Sequence, residues 1–136
     1  MEIILASHMT LAKGMKESLE FILGPLPNVR VMTAYTTDKY DIESEINQLL
    51  QNTERAIVIT DLLGGSVNTA WVTYVYKNNL SDRIKVITGM NLNLVLEICS
   101  NVNDNDFLNN TNINNYIESS KRAIVNCNNI LGGIND

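Results

Sequence analysis

The chain has 136 residues, 45% hydrophobic and 18% charged, with ten Lys and Arg against fifteen Asp and Glu for a formal net charge of −5. This length suits one domain, residues 1–136, built on a single set of helices and strands, and the hydrophobic content excludes a disordered chain. No basic cluster is present, so nothing would displace counterions from nucleic acid or an anionic membrane, and no apolar run approaches the roughly 20 residues that direct membrane insertion needs.

The opening Met-Glu-Ile-Ile-Leu-Ala lacks a basic leader pattern and reads as a strand, so a cytoplasmic location is expected. Ile3 to Ala6 is a continuous apolar run of the kind buried on both faces of a parallel sheet. Leu11, Met15, Leu19 and Ile22 recur at helical spacing until Gly24-Pro25 stops them. Val29 to Ala34 reads as a second strand. Asp38 is the expected cap of a helix whose apolar face is Ile42, Ile46, Leu49 and Leu50. Ala56 to Thr60 is a third strand, running into Asp61 and Gly64-Gly65-Ser66. Val67, Ala70, Trp71, Tyr74 and Val75 form the next helical stripe, with Trp71 expected in the core. Ile84 to Thr88 is a fourth strand, and Leu92, Val95, Leu96 and Cys99 a fourth stripe. Beyond Ser100 the chain is Asn-rich. Ile113, Tyr116 and Ile117 keep helical spacing there, Arg122 to Cys127 reads as a fifth strand, and residues from about 128 to 136 are expected to fray.

Four βα units in series predict a parallel sheet with right-handed crossovers and helices on both faces. Ligands of such sheets bind beyond the carboxyl ends of the strands, where strand order reverses. For the order 2-1-3-4 that point lies between the first and third strands. His8 follows the first strand and Asp61 the third, so the sole histidine would meet a carboxylate across the crevice. Imidazole is both nucleophile and proton carrier near neutral pH. A carboxylate on one ring nitrogen fixes the tautomer and leaves the other lone pair free. The bland alternative is a histidine that only closes a loop.

Gly64-Gly65-Ser66 leads a buried strand into a helix, a place where free N–H groups bind phosphate. Ser66 either caps that helix or donates to a phosphoryl oxygen. Thr88-Gly89-Met90-Asn91 would wall the same face, or simply begin the next helix with Asn91 as its cap. Cys99 and Cys127 are far apart, do not give zinc-site spacing with one histidine, and are expected as reduced, buried thiols. No metal site and no cofactor is expected. A phosphate loop of the GxxxxGKS type and a GxSxG elbow are both absent.

The segments Ile3-Ile4-Leu5-Ala6-Ser7-His8, Thr60-Asp61-Leu62-Leu63-Gly64-Gly65-Ser66 and Thr88-Gly89-Met90-Asn91-Leu92 together resemble the IIA component of the mannose-family sugar phosphotransferase system, over roughly residues 1 to 125. The resemblance implies a flavodoxin-like α/β fold. It implies a phosphohistidine on His8, received from the phosphocarrier HPr and passed to a IIB component. Asp61 would orient the histidine, and Ser66 would lie beside the phosphoryl group, with Gly64 and Gly65 in the phosphate-binding loop. It further implies a homodimer in which the last strand, Ala123 to Cys127 here, is exchanged and runs antiparallel to the others. The short connection before that strand fits, since a parallel crossover needs a dozen or more residues. The chain departs from the family at Met9, Val67 and Asn93, where Gly, Pro and Pro are frequent; no chemical group is lost.

Other readings share parts of this pattern. A receiver domain phosphorylated on Asp61 would need an acidic Mg²⁺ site after the first strand, where Ser7-His8 stands. A flavin-binding domain would need a Ser/Thr-rich phosphate loop there and aromatics around the ring. A regulatory IIA-like domain, such as a dihydroxyacetone-kinase phosphotransfer subunit, would carry the same histidine site as a sugar carrier.

Overall fold

The computed structural model describes residues 1–101 and 110–135, with side chains to residue 131. The elements follow the order β1 (Glu2–His8), α1 (Leu11–Leu23), β2 (Val29–Ala34), α2 (Ile42–Leu50), β3 (Ala56–Thr60), α3 (Ser66–Lys77), β4 (Ile84–Thr88), α4 (Leu92–Asn101), α5 (Asn110–Arg122) and α6 (Cys127–Asn135). All strand pairs are parallel and the sheet order is β2-β1-β3-β4, as the βα alternation predicts.

The sheet has a core on each face. On β1, Ile3 and Leu5 point into one core with Ala12 and Leu19 of α1, Leu94, Val95 and Ile98 of α4, and Ile113 of α5. Ile4 and Ala6 point into the other with Ile46 of α2 and Val67, Trp71 and Val75 of α3. Period-two alternation along a strand buried on both sides explains why Ile3 to Ala6 is apolar without a break. Trp71 is fully buried, its indole N–H directed at the Met32 sulfur at 3.2 Å. Each such large side chain contributes about 1.5–3 kcal/mol relative to exposure.

Two sequence expectations about helix starts are settled by local geometry. The cap of α2 is Asp41, not Asp38: the Asp41 carboxylate accepts from the Ser44 amide at 3.2 Å. Lys39 has φ +57°, a left-handed turn that no helix starting at Asp38 could contain. Asn91 does cap α4, its Oδ1 accepting from the Leu94 amide at 2.8 Å. For α1, Ser7 at the end of β1 takes the capping part, accepting from the Ala12 amide at 2.8 Å.

The C-terminal region differs from expectation. Arg122 closes α5, residues 123–126 form no strand, and α6 occupies residues expected to fray. The bonds near this segment are local. The Ala123 amide donates to the Ser120 carbonyl, Ile124 to Lys121, and Asn126 caps α6 through the Asn128 amide at 3.1 Å. A strand requires a ladder partner, and the described chain sets none beside residues 123–126. Residues 121–131 are all exposed, and Cys127 with them, so the expectation of a buried thiol fails there because no layer covers the segment. Cys99 is half-buried, and burial pushes its thiol up to about 11. Both cysteines are free. Most of the Asn-rich stretch, residues 102–109, lies outside the described residues. No described helix is long and apolar enough to cross a membrane.

Candidate functional site

The order β2-β1-β3-β4 makes the chain leave β1 toward β2 and return on the other side to β3. The crevice between the carboxyl ends of β1 and β3 is therefore the switch point of the sheet. Register places Ala6 beside Thr60 and His8 beside Ala34. His8 thus ends β1 next to the residue that follows β3, Asp61, and next to the residue that follows β2, Tyr35.

His8 and Asp61, 53 residues apart in sequence, are in direct contact. One carboxylate oxygen, Oδ2, lies 2.8 Å from His8 Nδ1 and also accepts from the His8 backbone amide at 2.8 Å. The other, Oδ1, accepts from the Leu62 amide at 2.9 Å. The Asp61 side chain is 10% exposed and the His8 side chain 40%. Burial pushes the Asp61 carboxyl up, but the two hydrogen bonds from His8 and the imidazole's charge together outweigh it and hold the group below the usual carboxylate range. An ionised carboxylate only accepts, so Nδ1 carries the proton. Nε2 then presents its lone pair away from Asp61.

Ser66 stands at that second nitrogen, with Oγ 3.3 Å from Nε2. The serine is the first residue of α3, not its cap; Gly65 is the N-cap and offers no side chain. Ser66 therefore does not cap α3 and stands beside His8 instead. The glycines act differently from what free phosphate-binding amides would suggest. The Gly64 amide donates to Asn68 Oδ1 at 3.1 Å and the Gly65 amide to the Leu62 carbonyl at 3.0 Å. Gly64 has φ +75°, and a Cβ on Gly65 would stand 3.2 Å from the Leu62 carbonyl oxygen and 3.4 Å from the His8 ring carbon Cε1. Gly65 brings backbone close to the imidazole, while Gly64 supplies the left-handed turn before it. The first bond across the start of α3 runs from the Thr69 amide to the Gly65 carbonyl, so the amides of Ser66, Val67 and Asn68 are the open donors of the first turn.

Two residues that the sequence reading did not single out belong to this constellation. Asn68 is buried, and besides receiving the Gly64 amide it donates to Thr60 Oγ1 at 2.9 Å, tying the glycine turn back to β3. A polar residue in the first turn of an apolar stripe was its only signal. Tyr35 places its hydroxyl 2.6 Å from Ser66 Oγ and its ring 5.7 Å from the imidazole. Nothing in the sequence marks it beyond its place after β2. The Thr88–Asn91 turn lies alongside, with the Met90 amide on the Thr60 carbonyl at 3.0 Å. Among the described residues no three His, Cys, Asp or Glu side chains gather as a metal-binding set.

A sequence profile of the family described as PTS system fructose IIA component (EIIA-man) matches residues 2–115. This chain belongs to that IIA family of the phosphotransferase system. The sorbose-specific EIIA component of Lacticaseibacillus casei is 33% identical over 109 residues, covering 76% of this chain and 75% of that protein. Among solved structures, the phosphotransferase system component EIIA of Streptococcus agalactiae superposes with a TM-score of 0.78 at 23% identity, covering 94% of this chain and 98% of that one. The mannose/sorbose-specific IIA subunit of Enterococcus faecalis gives 0.75 at 20% identity, covering 92% of each chain. These two likenesses carry the fold. Membership makes the chain a IIA component of the mannose/sorbose type, a phosphoryl carrier within a transferase system for sugar transport.

Proposed function

We propose that this IIA chain is a cytoplasmic phosphohistidine carrier of a bacterial sugar phosphotransferase system, accepting the phosphoryl group of phospho-HPr on His8 Nε2 and passing it to a IIB component. One observation carries the reading: a single Asp61 oxygen holds both the amide and Nδ1 of His8 at 2.8 Å, leaving Nε2 as the open nucleophile.

The step follows from the protonation pattern. The Nε2 lone pair attacks phosphorus in line, the Nε2–P bond forms, and the P–N bond to the donor imidazole breaks through a loose transition state. No proton need leave His8. The ring becomes cationic with its proton on Nδ1, facing the Asp61 carboxylate, and the donor imidazole departs with the lone pair of the broken bond. The Ser66 hydroxyl beside Nε2 and the open first-turn amides of Ser66, Val67 and Asn68 would meet the phosphoryl oxygens, aided by the positive end of α3. Transfer to the IIB component is the same chemistry reversed.

Two proteins must use this site in turn, which requires a shallow, accessible nucleophile. The collar around His8 fits that demand: Met9, Leu11, Leu62 and Leu63 are all exposed and uncharged. Such a rim supports brief docking at the small end of interface sizes. For the carboxyl-terminal segment, exposed Ile124 and Val125 support a homodimer in which a second copy covers residues 123–126.

Incubation with HPr, enzyme I and phosphoenolpyruvate tests the assignment. The label is expected to be lost in acid and to survive alkali, as phosphohistidine does, and His8→Ala should abolish it. Label retained by that variant, or a label lost in alkali, would refute the assignment.

A further inference from the structure

We propose that Tyr35 is a positioning residue for phosphoryl transfer, acting through Ser66 by supplying the hydrogen bond that frees the serine proton for Nε2 and then for the phosphoryl group. The inference rests on the phosphohistidine reading for its consequence, and on the hydrogen-bond chain for its geometry.

The direction of that chain follows from counting protons. The Asp61 carboxylate accepts from Nδ1, so Nε2 has only a lone pair to offer. Ser66 Oγ, 3.3 Å away, must then be the donor to it. A hydroxyl has one proton. With that proton directed at the imidazole, the 2.6 Å contact between Ser66 and Tyr35 requires the phenol to donate. The result is a one-way series, Tyr35 to Ser66 to His8 to Asp61, in which each bond polarises the next. Once a phosphoryl group occupies Nε2, the serine proton turns to a phosphoryl oxygen, and the phenol keeps the hydroxyl aimed there.

The structure holds Tyr35 in place for this. Its backbone has φ +68°, in the left-handed region that a bulky residue seldom adopts. The turn is closed by the Thr36 hydroxyl on the Thr33 carbonyl at 3.0 Å. The Tyr35 ring packs between His8, at 5.7 Å, and Tyr40, at 5.5 Å. Sheet register fixes the start of this turn, since Ala34 pairs with His8 itself. Among the described residues the buried Tyr40 hydroxyl has no partner, so Tyr40 backs the Tyr35 ring without competing for Ser66.

A double-mutant cycle separates action through Ser66 from simple packing. Y35F keeps the ring and removes only the hydroxyl. It should slow phosphoryl transfer from phospho-HPr about threefold to tenfold, the size expected for one hydrogen bond in the transition state. On the S66A background, adding Y35F should change the rate by less than about twofold, because the acceptor of the phenol is already gone. A purely structural role would instead slow both backgrounds equally, and that result, or a wild-type rate for Y35F alone, overturns the proposal. A second measurement needs no phosphoryl donor. His8 is the sole histidine, so its ring nitrogens give a single pair of ¹⁵N resonances. Y35F should move the Nε2 resonance downfield in the Ser66 chain and leave it in place on S66A. An Nε2 resonance indifferent to Y35F also overturns the proposal. A wild-type chain that takes no phosphoryl group while Nε2 still responds to Y35F through Ser66 upholds the relay and removes the carrier reading.

Discussion

Asp61 concentrates the electrostatics of the site in one side chain. Its Oδ2 serves two donors on His8 while Oδ1 serves the Leu62 amide. An asparagine cannot reproduce this, because one of its two ends is an NH₂ that faces donors wherever it is turned. With the amide nitrogen toward His8, the ring would move its proton to Nε2 and lose the nucleophilic lone pair. Asp61→Asn should therefore slow transfer while the protein still folds, by up to about 10⁴-fold where the loss matches that of the tautomer-fixing carboxylate in a Ser-His-Asp hydrolase. An unchanged rate would show that the pair does not act as described. The same carboxylate has a pH signature. Its folded value lies below the ordinary 3.8, so its contribution to stability is complete above that value and is lost as pH falls through the folded value. The stability difference between wild type and Asp61→Asn should shrink as pH falls below about 4, as read by urea unfolding at about pH 5 and below. A difference that kept growing below about pH 4 would contradict the assignment.

At the scale of the element, the turn between β3 and α3 is held by a side chain from inside the helix. Asn68 bonds the Gly64 amide with one end and Thr60 Oγ1 with the other. Asn68→Ala removes the partner of the Gly64 amide and leaves the fully buried Thr60 hydroxyl without its donor. The cost should be about 1–3 kcal/mol. For a chain of this size that is a fall in Tm of roughly 3–12 °C by thermal unfolding. Phosphoryl transfer should fall with it, since the loop that carries Ser66 loses its tether. A Tm within a degree of wild type would show that the tether is dispensable. The helix starts teach the same lesson about sequence reading. Asn91 at α4 was legible because its cap is set by the neighbouring residues alone. Asp41 displaced Asp38 at α2 because a left-handed residue, Lys39, lies between them, and nothing in the local pattern announced it.

For the whole molecule, the described residues form a four-stranded sheet covered by α1, α4 and α5 on one face and α2 and α3 on the other, with residues 121–131 left outside both cores. Ile124 is 74% exposed and Val125 51%. If a second copy covers them, sedimentation velocity of the full chain should give twice the chain mass, and I124D/V125D should give the chain mass without loss of the fold. A monomeric wild type would remove the homodimer from the proposed function.

The sequence by itself determined the four βα units, their parallel order and the placing of His8 and Asp61 at strand ends and Ser66 at a helix start, because period-two and helical hydrophobic patterns are local records of which face each element buries. The flavodoxin-like arrangement and the IIA family were legible from the same segments. Only the tertiary structure decided that one Asp61 oxygen holds two donors of His8, that Asn68 anchors the glycine turn, and that Tyr35 reaches Ser66 across 31 residues of chain. In the single chain the residues of the expected fifth strand are an exposed segment leading to α6, without a ladder partner among the described residues. Contacts of this kind depend on strand register and on turn geometry between elements, and a strand depends on a partner that its own residues cannot supply.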